Sequence, residues 1–376
     1  MYVSFLGLGQ CGGNIADEAA SRGFYSASIN FSQTDLNSLE HTKKTLKLIG
    51  SEGVGKNREN AIMMMESNWD IATNFVKEHF SHPSVEIIIV PFATGGGSGS
   101  GIAPVLLSLL VSEMPDKVFV AMPIIPDKSE PYTNQKNCLD CFEDLAKINI
   151  CVLPIDNQKY SLRMAHGSKS RYFEKINKEI VNLFEEILLY TNKQSKYGVF
   201  DKKDLTALFK TQGIGSIAKA DLSIVTNKIE FNERGITNKI KESWIKSIFA
   251  DIELNQIISA SIIFEGKEEI LNLINSERLF DCFGNKMPIS LFEGFYTTSD
   301  GKSFGKVITI LSGLAWCNSR LKEIDEILES VIEKFNNRSQ TGFYVSKTKH
   351  LQSKSPLENT REKVNDISEL ISRFKR

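Results

Sequence analysis

The chain has 376 residues, enough for two domains each with its own core, and 41% of them are hydrophobic, as in an ordinary globular protein. A formal net charge of −1 excludes a global electrostatic drive toward nucleic acid or membrane, and no apolar run approaches the roughly 18 residues that span a bilayer. The opening Met1-Tyr2-Val3-Ser4-Phe5-Leu6 runs into Gly7 without the basic start of a secretory signal, and the six cysteines show no paired metal spacing, so the expectation is a reduced, cytoplasmic protein with no structural metal site.

In chain order, Tyr2–Leu6 reads as a buried strand ended by glycine, Gly13–Ser21 as a helix and Ser26–Asn30 as a second strand. A long helix is predicted from Arg58 to His79. Val85–Phe92 is a further buried strand, feeding a glycine-rich loop and the helix Ile102–Ser112. Lys117–Met122 and Ile150–Leu153 supply more strands, with a helix from Asn134 to Lys147 between them. Cys138 and Cys141 fall in that helix and read as small residues on one face. This alternation implies a parallel sheet covered by helices on both sides. Arg171–Tyr190 carries Phe173, Ile176, Ile180, Val181, Phe184, Ile187 and Leu188 at helical spacing, wide enough to predict a helix buried between two domains. In the second half Ile257–Phe264 and Lys306–Leu311 read as strands, and Asn238–Phe249 and Glu268–Ile274 as helices. The charged helix Ser319–Phe335 is expected on the outside of this α+β half. Residues 346–376 hold eight Lys/Arg and four Asp/Glu. Their first part has the composition of a disordered segment, and Val364, Ile367, Leu370, Ile371 and Phe374 form one stripe of a short terminal helix.

Three glycine-rich segments carry the chemistry. In the first, Thr94-Gly95-Gly96-Gly97-Ser98-Gly99-Ser100-Gly101 sits between an apolar strand and an apolar helix. Helix amides there lack partners, glycines admit a phosphate to the backbone, and Thr94 and Ser98 add hydroxyls. In the second, Gly7, Gly9 and Gly12 match G-x-G-x-x-G. A dinucleotide site also wants an acid at the end of the second strand, where this chain has Asn30. In the third, Gly50-Ser51-Glu52-Gly53-Val54-Gly55-Lys56-Asn57 nearly fits a P-loop, but Asn57 stands where a metal-binding hydroxyl belongs.

Together these residues resemble the tubulin/FtsZ family of filament-forming GTPases, most closely its TubZ branch of plasmid and phage partition tubulins. The resemblance rests on Gly95–Gly101 and on Gly9-Gln10-Cys11-Gly12. It covers residues 1–220 by motif and 221–335 by element order. It implies a parallel-sheet GTP-binding domain (1–170), a central interdomain helix (171–192), a smaller α+β domain (193–316), a C-terminal helix (317–340) and a basic tail (341–376). It further implies GTP or GDP with Mg²⁺, held by Gly9, Gln10, Cys11 and Asn14, by Asn30, by Gly55, Lys56 and Asn57, and by Thr94, Gly95, Gly96, Gly97, Ser98 and Gly99. Glu130 in Pro126-Asp127-Lys128-Ser129-Glu130 matches the ribose acid. Asn134 stands where bacterial relatives often have an arginine near the phosphates, and Lys56 is expected to compensate. Asn157 and Asn177 match positions that read the guanine edge, and Phe173 matches the ring that stacks on it.

Asp201 and Asp204 open a predicted helix and read as caps from spacing alone. The resemblance instead implies that they reach the nucleotide of a neighbouring subunit, as the catalytic acids of a head-to-tail polymer, with Val199 replacing an asparagine common in FtsZ. It also implies that residues 346–376 contact a DNA-bound adaptor, direct DNA binding being disfavoured by the interspersed acids and no membrane being involved. Two rivals remain: a dinucleotide-dependent oxidoreductase, and a filament scaffold that binds GTP without hydrolysing it.

Overall fold

The computed structural model describes residues 2–163, 169–222, 232–298 and 304–340. The first half alternates β1 (Val3–Leu8), α1 (Gly9–Ser21), β2 (Tyr25–Asn30), α2 (Gln33–Asn37) and β3 (Lys44–Lys47). There follow α3 (Arg58–Met65), α4 (Trp69–Phe80), β4 (Ile87–Ala93), α5 (Ser98–Glu113), β5 (Val118–Ile125) and α6 (Tyr132–Leu145). Short β6 (Cys151–Val152), β7 (Ile155–Asp156) and α7 (Asn157–Arg163) lead to the long α8 (Lys169–Tyr190) and then α9 (Lys202–Lys210). The second half holds β8 (Gly213–Asp221), α10 (Glu233–Lys246), β9 (Ser259–Gly266), α11 (Glu268–Leu271) and α12 (Ser276–Phe280). It ends with β10 (Ser290–Thr297), β11 (Gly305–Leu314) and α13 (Asn318–Gln340).

All strands join one sheet in the order β10-β9-β11-β8-β6-β5-β4-β1-β2-β3, with β7 alongside β5. Only β11 runs antiparallel to its neighbours among the described residues. The two halves meet where Cys151 pairs Gly213 and Val152 pairs Ile214. Side chains of β1 and β4 alternate across the sheet. Leu6, Leu8, Ile88, Val90 and Phe92 face the layer of α3 to α6, while Val3, Phe5, Ile87 and Ile89 face α1 and α8. Each core layer continues from one half of the chain into the other, so the expected pair of separate cores is instead one core on each face.

Several expectations change for identifiable reasons. The long helix predicted over 58–79 is two helices. The buried Asn68 donates to the carbonyls of Ile49 and Met64 and accepts from the Ile49 amide, and the turn at 66–68 that allows this ends α3. α10 begins earlier than expected because the Asn232 side chain caps it, accepting from Gly235 N at 2.8 Å. α8 is not buried all round: Ile176, Ile180, Val181, Phe184 and Ile187 pack inward, but Glu174, Lys178, Asn182 and Glu185 form an exposed face. α13 does not lie outside the second half. It crosses back to pack on α6, with Phe142 edge-on to Trp316 just before it. Cys138 and Cys141 are buried and free. No described helix is long and apolar enough to cross a membrane. The tail, its basic residues and the Val364–Phe374 stripe lie outside the described residues.

Candidate functional site

The loops converge where β1, β4, β5 and β7 reach their C-terminal ends. The glycine segment after β1 is shorter than its sequence suggests, because β1 runs to Leu8 and α1 starts at Gly9 with φ +68°. A Cβ on Gly9 would stand 2.8 Å from Gly99 N, so the starts of α1 and α5 touch. A Cβ on Gly12 would stand 2.1 Å from the Pro91 carbonyl oxygen, and one on Gly7 2.3 Å from that of Gly12. The G-x-G-x-x-G spacing therefore serves to seat α1 against β1 and β4. From Ala93 the chain passes through Thr94–Gly97 into α5 at Ser98. Two helix N-termini, with their unpaired amides, thus face one place.

That place is a cavity of about 250 Å³. Of the expected nucleotide residues, Gln10, Cys11, Asn14, Gly95, Gly96, Glu130, Asn134, Asn157, Phe173 and Asn177 line it, joined by Ile15, Ala93, Ile124, Pro126 and Ile176. Phe173 is 43% exposed, which fits a ring awaiting a partner better than a core residue. Asn157 Oδ1 and Asn134 Oδ1 are buried with no hydrogen-bond partner, a cost of roughly 1–3 kcal/mol each if a ligand never satisfies them. Asn134 Nδ2 donates to Glu130 at 2.6 Å, and the other Glu130 oxygen accepts from Asp127 N at 3.1 Å. At position 134 an amide thus holds the acid in place. Burial, with Glu130 nearby, pushes the Cys11 thiol up to about 12, so it sits in the wall as a neutral group.

The remaining expected residues lie behind this cavity or beside it. Thr94 gives both its amide and its hydroxyl to the Ile124 carbonyl, at 3.1 and 2.8 Å, so the hydroxyl expected for phosphate anchors β4 to β5 instead. Gly97 has no room for a side chain, since a Cβ would meet Val54 Cγ2 at 2.5 Å and the Lys56 carbonyl carbon at 2.9 Å. The loop of Gly55, Lys56 and Asn57 therefore rests directly on it. Asn57 caps α3, accepting from Asn60 N at 2.9 Å. Lys56 does not compensate within the cavity. Its backbone is left-handed at φ 65°, and it lines a neighbouring hollow of about 310 Å³ with Lys136. Asn30 is buried and bonds Ser32 N and Asp35, fixing the turn after β2. Ser98 and Gly99 open α5.

Two residues escaped sequence reasoning. Asn137 Nδ2 reaches the carbonyls of Lys56, Gly95 and Gly96 at 3.0, 3.3 and 3.4 Å. Holding the last two turns the amides of Gly96 and Gly97 the other way, because C=O and N–H of a trans peptide point oppositely. Arg320, from α13, bonds Asp156 at 3.1 Å and the Pro126 carbonyl at 2.8 Å. Neither belongs to a short motif. Their one sequence signal is a polar residue at a helical position otherwise expected to be apolar or solvent-facing.

Asp201 and Asp204 are elsewhere. They form a capping box on α9: Asp201 accepts from Lys203 N at 2.6 Å and Asp204 N at 3.0 Å, and Asp204 accepts from Asp201 N at 2.9 Å. The buried Phe200 anchors this turn. Tyr2 OH bonds the Lys202 carbonyl and Thr206, and Lys203 pairs with Glu86 at 3.4 Å. Tyr2 and Glu86 precede β1 and β4, so the acids lie at the N-terminal end of the strands, opposite the cavity. Partial burial, together with the Asp201 charge, raises the Asp204 carboxyl above its ordinary value. No group of three or more His, Cys, Asp or Glu converges to hold a metal ion among the described residues.

Residues 2–162 match the family described as "Tubulin/FtsZ family, GTPase domain". The chain superposes on a tail-truncated Clostridium botulinum phage c-st TubZ with TM-score 0.71 at 25% identity, over 88% of this chain and 98% of that one. Residues 2–162 are thus similar to the GTPase domain of the tubulin/FtsZ family. Among its tubulin-like relatives, the CetZ protein of Pyrococcus abyssi is 26% identical over 84% of this chain and 86% of that protein. A GTPγS-form protofilament of Bacillus thuringiensis serovar israelensis TubZ shares the fold at TM-score 0.74 and 18% identity, over 90% of this chain and 94% of that one. TubZ and CetZ are thus both represented among proteins that this tubulin-like chain resembles.

Proposed function

We propose that the protein binds GTP in the cavity and hydrolyses it only when a second copy docks head to tail. The observation that carries this is the separation of the two halves of the site. The phosphate-facing loops and the pair of acids stand at opposite ends of the same parallel sheet. One subunit cannot bring them together, whereas a translated copy can, and such a heterologous contact does not close. In this reading Asn157 and Asn177 bond the base edge, Phe173 stacks on the base and Glu130 takes the ribose. The amides of α1 and α5 take the phosphates, with Gln10, Asn14 and Ser98 beside them. Asp201 and Asp204 of the next subunit orient water.

Among the described residues that line the cavity, the donors at the phosphate end are neutral amides, and none is Lys or Arg. This fits a nucleotide that arrives with Mg²⁺, which supplies neutralising charge when bound. The protofilament form of the Bacillus thuringiensis relative supports the polymer. Exposed apolar residues stand at both poles: Ile49, 64% exposed, follows β3, and Val199, 46% exposed, precedes α9.

Phosphate release measured against protein concentration, with pelleting in parallel, tests the reading. Turnover per molecule should climb with concentration as polymer forms. A constant rate would sink the shared site, and assembly with GTP but no phosphate release would leave the non-hydrolysing scaffold. The finer role, positioning of plasmid or phage DNA through an adaptor held by residues 346–376, is supported by the phage TubZ likeness. Adaptor capture that survives deletion of 346–376 would refute it.

A further inference from the structure

Arg320 stands at the third position of α13, with its side chain only 5% exposed. Its Nε donates to Asp156 Oδ2 at 3.1 Å, its Nη2 to the Pro126 carbonyl at 2.8 Å and its Nη1 to Glu323 at 2.9 Å. The first two targets belong to different loops of the cavity. Pro126 lines it and begins the segment that carries Glu130, and Asp156 directly precedes Asn157. One turn along α13, Glu323 also pairs with Lys128 of the first loop. The loops are tied to each other as well: Lys128 N donates to Gln158 at 2.9 Å, and Ser161 to Asp127 at 2.6 Å.

Only a guanidinium offers several donors in one rigid plane, so only arginine spans a carboxylate on one loop and a carbonyl on another. Its loss would leave the Asp156 carboxylate buried without its partner, a strongly unfavourable state that the loop relieves by moving. Asn157 is the next residue, and its unpaired Oδ1 moves with it.

We infer that Arg320 is a positioning residue of the nucleotide site, holding the ribose loop and the base loop in mutual register from the C-terminal helix. The inference rests on the GTP reading above. It makes α13 part of the site's frame, so by linkage nucleotide occupancy and the placement of α13 bias each other.

The test uses the full chain, a fluorescent GTP analogue and amide hydrogen exchange. Arg320→Gln should weaken binding by roughly 10- to 100-fold, the range for a misplaced supporting residue. Exchange should rise at 126–130 and 157–163 in the nucleotide-free protein. Arg320→Lys should recover part of the affinity, because it keeps the charge beside Asp156 but loses the bond to Pro126. Glu186→Gln is the control: it breaks the ion pairs with Lys219 and Lys306 far from the cavity and should lower thermal stability without moving nucleotide affinity. Wild-type affinity and unchanged loop exchange in a folded Arg320→Gln would overturn the inference alone. If that variant does not fold, Arg320→Lys at full affinity and unchanged exchange overturns it equally. Failure of the wild-type chain to bind GTP would overturn the functional reading, and the inference with it.

Discussion

Replacing Asp201 and Asp204 with asparagine separates helix capping from catalysis. Asparagine caps as well as aspartate, so its Oδ1 can still accept from Lys203 N and Asp204 N, and stability should stay within a few tenths of a kcal/mol of wild type. Asp201→Ala, which loses both bonds, should cost about 1 kcal/mol. β1 has six residues and spans the sheet between the two poles. At about 3.3 Å per residue that is roughly 20 Å, whereas a group acting on water at the phosphate must come within about 3 Å. The paired asparagine variant should therefore bind GTP as wild type does while turning it over roughly 10²- to 10⁴-fold more slowly. The decisive assay mixes it with Gly97→Val, whose added side chain collides with Val54 and Lys56 at 2.5 and 2.9 Å and displaces the loop beneath the phosphates. Each variant alone should be inactive. Where the intact cavity of one meets the intact acids of the other, phosphate release should return. A mixture no more active than the sum of its parts, with dimers present by sedimentation, would refute the divided site. So would wild-type turnover in the asparagine pair.

Three further outcomes follow from the same geometry. Val199→Glu places a charge beside the capping turn on the proposed contact face. It should raise the critical concentration for pelleting about ten-fold or more, equivalent to about 1.4 kcal/mol, with GTP affinity unchanged. Asn177→Ala removes a polar group from the base end of the cavity, and competition binding should show preference for GTP over ATP falling by about ten-fold. Glu265 supplies a pH test. Burial alone would raise its carboxyl, but bonds from Lys193, Tyr190 and Lys306 outweigh this and hold it at about 2. A depressed carboxylate stabilises the fold above its ordinary value of 4.5 and loses that contribution as pH falls toward about 2. Screening by solvent at this partly exposed site limits the effect to about 1 kcal/mol. Urea unfolding should show Glu265→Gln less stable than wild type at neutral pH, with the gap narrowing steadily below pH 4.5; a gap that widens there would contradict the sign.

Much of the fold was legible because buried parallel strands are short, continuous apolar runs and the loops after them are glycine-rich. β1, β2, β4 and β5 were placed to within a few residues on that basis. β10 escaped because it is a half-exposed edge strand interrupted by Gly294, and that glycine exists for packing: a Cβ there would stand 2.7 Å from Phe200 Cβ. β8 escaped because Gly213 and Gly215 dilute its alternation. The turn at Asn68 was invisible for another reason. Asparagine breaks a helix only when distant carbonyls are there to receive its amide, and Ile49 is brought there by β3, which was itself not foreseen.

The site shows the same division between local and long-range information. Residues that make the cavity's glycine loops were legible because backbone access to an anion demands glycine wherever it occurs. Residues that position those loops were not, because Asn137 and Arg320 act through carbonyls that only the fold brings near. The acids illustrate a third case, in which the local reading and the resemblance gave different answers that do not exclude each other. Asp201 and Asp204 do cap α9, and a capping box fixes two carboxylates on an exposed turn with little freedom left to lose. That rigidity is what a group must have if it is to meet a phosphate on another molecule, since ordering it at the moment of contact would cost about 0.5–1.5 kcal/mol per side chain. Capping is therefore compatible with the proposed catalytic role: the end of the sheet opposite the cavity, where β1 and β4 begin, is where a docking copy would have to carry such acids.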